Sequence, residues 1–339
     1  MSSGRAPRVV VVTGASSGVG RACAQAFGQR GDRVVLVARN GEALAAAAKE
    51  IEAAGGEALV HPADVSDAVA VDAAAAAAQE RWGPIDVWVN CAMATVFAPV
   101  MDTTPEEYRR VMESTFLGYV HGTQAAVRSM SALDRGVIVQ VGSALAYRSV
   151  PLQSAYCAAK AAIRGFSDSL RTELIHEGSK IRISQVHLPA VNTPQSLRQR
   201  NKMPHQQQPV PPMFSPATIA DMIVWAADHQ PREVLLGVPS FRAVWGQRLL
   251  PGILDWYAGR SAWESQFVDH PNDQTEDILF DVVAGDPGAE GPYRDRQQGP
   301  DWLMKLRRRA STPDVARRAF AAVVSPARPR SAGRALVRR

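Results

Sequence analysis

The 339 residues are 46% apolar, enough to bury one substantial α/β core with chain left over for an appendage. Three scattered cysteines, Cys23, Cys91 and Cys157, exclude a disulfide framework, and no Cys/His spacing resembles a metal site, so a reducing cytoplasm is the expected setting. The net charge of +5 belongs to the C-terminus, where residues 301–339 hold eleven Lys and Arg against two Asp and leave −4 for residues 1–300; no nucleic-acid surface is expected on the folded domain. No stretch approaches the roughly 20 apolar residues of a spanning helix. The N-terminal run Val9–Val12 is too short for a secretory signal, so membrane association is expected to be peripheral at most.

Val9-Val-Val-Val-Thr13 reads as a strand, because β-branched residues fit an extended, pleated backbone. It runs into Gly14-Ala-Ser16-Ser17-Gly18-Val19-Gly20 and then a helix-forming segment, residues 21–30. A strand, a glycine turn and a helix N-terminus present backbone amides to an anion, and the glycines let the chain approach a pyrophosphate closely. Gly14, Ser16, Ser17, Gly18, Val19 and Gly20 are therefore the expected dinucleotide-binding residues. The second strand, residues 31–39, ends in Ala38-Arg39 with no acid. An acid after this strand binds a ribose 2′-hydroxyl, whereas an arginine accommodates a 2′-phosphate, so Arg39 favours NADP(H) over NAD(H), with Ser16 as a helper.

An alanine-rich helix over residues 42–54 and a short strand over 58–61 follow, with Ser66 expected to cap a second alanine-rich helix, residues 68–81. Strand four, residues 84–90, ends at Asn90, and open α/β sheets bind ligands at the carboxyl ends of their strands. Asn90 is accordingly a candidate cofactor residue, while Cys91 reads as a small buried residue. A long helix is expected from 105 to 130 with Thr104 as its cap. Strand five, residues 137–143, closes on Ser143, whose hydroxyl is suited to hydrogen-bonding a substrate oxygen. The next helix, residues 155–174, carries Tyr156 and Lys160 on one face. A free phenol titrates near 10, so a base at this position needs neighbouring positive charge. Residues 181–188 form strand six, with His187 expected to be an ordinary satisfied histidine. Strands alternating with helices at these lengths specify an α/β fold: a doubly wound, Rossmann-type parallel sheet of about seven strands with helices on both faces.

These motifs, taken in order over residues 8–237, resemble the short-chain dehydrogenase/reductase family. Thr13-Gly-Ala-Ser-Ser-Gly-Val-Gly20 is similar to its cofactor loop, Asp64-Val65 to its adenine-contacting pair, Asn90-Cys-Ala92 to its Asn-Ala-Gly, and Ser143 with Tyr156-Cys-Ala-Ala-Lys160 to its catalytic set. The resemblance implies that Tyr156 is the acid/base, that Ser143 orients the substrate oxygen, and that Lys160 binds the nicotinamide ribose and lowers the Tyr156 pKa. It also implies that Val191 and Thr193, in Pro189-Ala-Val-Asn-Thr193, hold the nicotinamide carboxamide. The family's fourth catalytic residue is an asparagine; Thr115 stands in its place, and Ala92 and Ala190 replace glycines. A homo-oligomer is implied by the resemblance alone.

Residues 193–216 form a long Gln/Pro-rich connection without expected regular structure, read as a mobile lid over the substrate. Phe97, Leu145, Tyr147 and Met213 are expected to line the pocket. A helix over 217–228 and a seventh strand over 233–237 complete the domain, residues 1–262. The aromatic stretch 241–257, interrupted by Pro251-Gly252, suits packing, a subunit contact or a membrane surface. Residues 263–339 read as an irregular C-terminal extension: a Gly/Pro/Asp-rich strap, two short helices at 302–309 and 314–323, and a basic tail. The expected activity is NADP(H)-dependent interconversion of a small-molecule carbonyl and a secondary alcohol. The alternative is a non-catalytic dinucleotide sensor or scaffold, motivated by Thr115, Ala92 and Ala190.

Overall fold

The computed structural model describes residues 6–309. The helix expected over 314–323 and the rest of the basic tail lie outside the described residues. Seven parallel strands form the central sheet: β1 (Val9–Thr13), β2 (Arg33–Ala38), β3 (Glu57–Pro62), β4 (Val87–Asn90), β5 (Gly136–Ser143), β6 (Ile181–Leu188) and β7 (Glu233–Leu235). Their order across the sheet is β7-β6-β5-β4-β1-β2-β3. The chain leaves β1 in one direction toward β2 and β3 and later returns to its other side with β4. That reversal opens a crevice beyond the carboxyl ends of β1 and β4.

Alternation along β1 explains the two layers of helices. Val10 and Val12 point into one core, shared with α1 (Gly18–Gly28), α2 (Gly41–Ala53) and the helix Pro216–His229. Val9 and Val11 point into the other, shared with α3 (Ala68–Trp82) and α5 (Gly118–Ser131). A strand buried on both faces reads as a continuous apolar run, which is why four consecutive valines are tolerated here. Asn40 caps α2 by accepting from the Ala43 amide, and a reciprocal capping box between Thr104 and Glu107 starts α4 (Pro105–Val111). Asp67, rather than Ser66, caps α3, because the Ser66 hydroxyl is spent on Asp64.

The expected single helix from 105 to 130 is continuous, but takes π geometry over Met112–Leu117 between α4 and α5. After β7 the helix Gly237–Leu249 gives way at Pro251 to a second one, Pro251–Tyr257, as the Pro-Gly pair requires.

The connection after β6 departs from the sequence reading. A helical turn, Gln195–Arg198, is followed by three short strands, and each finds a distant partner: Arg200–Asn201 pairs with Val96–Phe97, His205–Gln207 with Phe267–Pro271, and Met213–Phe214 with Gln297–Gln298. Two of the three partners lie in residues 263–309. No local periodicity marks such pairings, because the hydrogen-bonding partners are supplied from elsewhere in the chain. The extension itself is laid against the domain, with Leu279 and Met304 fully buried.

Candidate active site

A cleft of about 500 Å³ runs from the glycine turn after β1, past the ends of β4 and β5, to the start of α6 (Ser154–His176). Gly14, Ser16, Ser17, Gly18, Val19 and Gly20 line its nucleotide end together with Arg39, Asp64 and Val65; Ser143, Tyr156, Lys160, Val191 and Thr193 line the other. This volume lies within the range of about 300–1,000 Å³ typical of ligand sites.

The turn is built for close approach. Gly14 has φ +72°, and a Cβ there would lie 2.8 Å from the Ala92 backbone, while a Cβ on Gly20 would lie 2.2 Å from the Gly14 carbonyl. Only glycine permits this tight a passage from strand to helix. Thr13 Oγ1 fastens the opposite wall, accepting from the amides of Cys91 (3.0 Å) and Ala92 (3.2 Å). At the N-terminus of α1, Ser17 makes no side-chain cap and the first turn carries no acid, so the positive end of the helix faces the cleft uncompensated by charge. These features fit a pyrophosphate.

At the catalytic end, Ser143 terminates β5 and its Oγ accepts from the Leu145 amide at 3.1 Å. Helix α6 sets Tyr156 and Lys160 one turn apart, and both line the cleft with Ser143. Burial pushes the Tyr156 phenol above its ordinary range, with the Ser143 hydroxyl opposing it. Lys160 is 97% removed from solvent; burial lowers its ammonium to about 8. Its Nζ donates to the Tyr119 hydroxyl (2.9 Å) and the Val141 carbonyl (2.8 Å), and lies 4.5 Å from the Tyr119 ring centre against 5.6 Å from that of Tyr156. The protein's own groups thus raise the Tyr156 phenol, while Lys160 is held by Tyr119 and the Val141 carbonyl. Burial pushes the Cys91 thiol up to about 11, in keeping with an unreactive cysteine.

Two expected site residues are placed elsewhere. Asn90 is fully buried behind the cleft: its amide donates to Gln140 (2.9 Å), Thr123 (3.1 Å) and the Tyr119 carbonyl (3.3 Å), and its oxygen accepts from Trp88. Alternation along β4 puts Asn90 on the Trp88 side, toward α5, so it braces the sheet and does not touch the cleft. Thr115 is equally buried and exchanges two hydrogen bonds with the Ala94 backbone, accepting from the amide at 2.9 Å and donating to the carbonyl at 2.8 Å. Its neighbour Ser114 lines the cleft instead. Of the four expected pocket residues only Leu145 does so: Phe97 stacks edge-on against Phe267, Met213 is buried, and Tyr147 bonds Glu233. His187 is an interior histidine as expected, seated between the Ser143 carbonyl (3.2 Å) and Glu233, whose carboxyl it helps hold down near 2.

The nucleotide end also contains residues the sequence reading missed. Arg198 and residues 278, 281–283 and 287 of the extension line the same cleft. Arg39 donates to the carbonyls of Phe280 (2.9 Å) and Ile278. Asp64 is held by Arg110 at 2.5 Å and by Ser66. Burial works to raise the Asp64 carboxyl, but these hydrogen bonds outweigh it and keep it below the usual range.

A family model described as short chain dehydrogenase matches residues 8–204. The uncharacterized oxidoreductase YxnA of Bacillus subtilis strain 168 is 32% identical over 299 residues, covering 87% of this chain and 82% of its own. The dehydrogenase/reductase SDR family member 7B of Bos taurus is 33% identical over 257 residues, covering 72% and 78%. Among solved structures, a metagenomic short-chain oxidoreductase in complex with NADP is 32% identical with a TM-score of 0.56, covering 67% of this chain and 95% of its own. A single-residue variant of the actinorhodin polyketide ketoreductase with NADPH is 26% identical with a TM-score of 0.60, covering 67% and 94%.

Proposed function

The chain belongs to the short-chain dehydrogenase family of oxidoreductases, and from that premise we propose that it interconverts a small-molecule carbonyl and a secondary alcohol with NADP(H), Tyr156 exchanging the proton at the substrate oxygen. The observation that carries this reading is the convergence of Ser143, Tyr156 and Lys160 on one wall of a cleft that continues to the glycine turn.

The dinucleotide, when bound, supplies or accepts the hydride. The protein's part is positional and electrostatic. The amides of the glycine turn and the N-terminus of α1 hold the pyrophosphate, while Val191 and Thr193 bound the nicotinamide end. In reduction, the carbonyl oxygen accepts from Ser143 and Tyr156. The half-buried phenol, raised above its ordinary range by its surroundings, is then placed to donate as negative charge builds on that oxygen. Lys160, fixed by Tyr119 and Val141, keeps an ammonium beside the phenol and stabilises the phenolate left behind.

Arg39 at the end of β2 and the NADP-bearing neighbours support the 2′-phosphate reading. Three free cysteines support a reducing, cytoplasmic setting. Among the described residues no helix is long and apolar enough to cross a membrane, and none of the His, Cys, Asp and Glu cluster as metal ligands. Exposed Trp245, Leu249, Ile253 and Trp256 support a homo-oligomer, which a monomeric mass by light scattering would remove.

Proton donation by a positioned group contributes about 10²- to 10⁴-fold to rate. Tyr156→Phe is therefore expected to lower kcat at least about a hundredfold on any carbonyl the enzyme reduces, with cofactor binding retained. Undiminished turnover in that variant would overturn the assignment of Tyr156. Tight dinucleotide binding with no turnover across a broad carbonyl panel would favour the sensor reading.

A further inference from the structure

The segment that covers the nucleotide end of the cleft is drawn from the extension, 241 residues beyond Arg39. It is seated by its own backbone carbonyls, each aimed at a donor of the nucleotide wall. Arg39 donates to the carbonyls of Ile278 and Phe280 (2.9 Å), and Arg110 to that of Leu279 (2.9 Å). Arg198 reaches the Val283 carbonyl at 2.8 Å; Asn40 reaches those of Val283 (3.0 Å) and Gly285 (3.1 Å). The Gly18 amide, first in α1, donates to the Gly288 carbonyl at 3.1 Å. Two further ties anchor the segment: fully buried Leu279, packed with Ala94, Val111 and Ala155, and Asp286, paired with the buried Arg21. Asp281 faces the same cleft, near enough for its carboxylate to favour the Arg39 charge.

Carbonyl oxygens on an arginine fork and on a helix N-terminal amide occupy the donors that phosphate oxygens use. We infer that residues 278–283 are a built-in competitor of the 2′-phosphate: while this part of the strap is seated, Arg39 is engaged and an acid stands beside it, so NADPH must unseat residues 278–283 whereas NADH, whose pyrophosphate displaces only the Gly288 carbonyl from the Gly18 amide, need not. The inference rests on the reading of Arg39 as the 2′-phosphate partner. A dianionic phosphate meets an occupied fork and the Asp281 carboxylate. A ribose 2′-hydroxyl instead meets an acceptor, the role an acid at the end of β2 ordinarily fills. The chain thus carries both determinants, the arginine on β2 and the acid on the strap, and the position of the strap selects between them.

If the strap is unseated in about one molecule in ten, the apparent Kd for NADPH is raised about tenfold by that fraction alone. Dissociation constants for NADPH and NADH, from tryptophan fluorescence titration of the full chain, test this with Leu279→Ala, Leu279→Ser and Arg39→Ala. Loosening the strap with either of the first two is expected to tighten NADPH up to about tenfold and to leave NADH within about twofold. Hydrogen exchange on the wild-type chain gives a second readout that needs no variant to fold. The Ile278 and Gly285 amides, which donate to the Arg198 carbonyl and to Glu42, should exchange faster with saturating NADPH and be unchanged by NADH. Equal effects on both cofactors, weaker NADPH binding in the loosened variants, or added protection of those amides by NADPH would each overturn the strap as competitor. If Arg39→Ala leaves the NADPH/NADH ratio unchanged, the underlying reading of Arg39 fails instead.

Discussion

At the scale of single residues the site is dominated by one costly placement, the Lys160 ammonium in a fully buried position with a phenol hydroxyl and a carbonyl as its hydrogen-bond partners among the described residues. Burial lowers its pKa from 10.5 to about 8. The native state therefore binds fewer protons than the unfolded chain between about pH 8 and 10.5, so this residue's contribution rises with pH through that window and is unfavourable below it. A shift of that size corresponds to roughly 3 kcal/mol at neutral pH. Lys160→Met is accordingly expected to raise the thermal midpoint of the cofactor-free protein by several degrees at about pH 7, with the gain shrinking toward about pH 10, while turnover is lost. A lower midpoint at neutral pH would show that the hydrogen bonds to Tyr119 and Val141 outweigh desolvation. Tyr156, Lys160 and Ser143 were legible in the sequence because a four-residue helical spacing and a strand end carry local signatures. Tyr119 was not: its hydroxyl meets Lys160 only once α5 has been packed against α6, and neither spacing nor residue type announces that contact.

At the scale of elements the departure that matters is the π stretch Met112–Leu117, inside a segment that reads as one uninterrupted helix. A π turn inserts a residue into the helical register and frequently marks a functional position. Here it turns Ser114 to the cleft and Thr115 inward to the Ala94 backbone. Thr115 thus ties the helix to the chain just after β4, next to Cys91 and Ala92 at the cofactor wall. The family resemblance set Thr115 at the fourth catalytic position; its bonds to the Ala94 amide and carbonyl fit a bracing role, because the one hydroxyl proton is spent on the carbonyl. Thr115→Val keeps the shape and leaves both backbone groups of Ala94 without their partner. The expected cost is about 1–3 kcal/mol in urea denaturation, with the fall in kcat/KM traceable to a weaker cofactor Kd. A variant of wild-type stability would remove the bracing role. The same scale accounts for Asn90, whose strand position was read correctly and whose side-chain direction, set by which face of β4 it occupies, was not.

At the scale of the whole molecule, most of residues 8–237 followed the sequence reading because strand and helix periods are local, whereas residues 263–309 are governed by distant partners. The composition of this extension, rich in Asp, Gly and Pro, gives no period to read, yet its carbonyls, Leu279 and Met304 are all accommodated by the domain. Gln266 is equally buried and knits the extension to the start of α6, joining Gln153 at 2.7 Å and the Pro151 carbonyl at 3.2 Å. A chain ended at Ala262 would uncover the seats of both apolar side chains, each worth roughly 1.5–3 kcal/mol when fully buried. It would also strip the short strands after β6 of two partners. The truncated chain is therefore expected to unfold at clearly lower urea than the full chain, with a smaller m-value because less surface is buried. Thermal and urea transitions unchanged by the truncation would mean that residues 263–309 are an appendage with no structural hold on the domain. Because the same segment supplies the strap at Arg39, a loss of stability on truncation would make cofactor choice and fold stability two consequences of one set of long-range contacts.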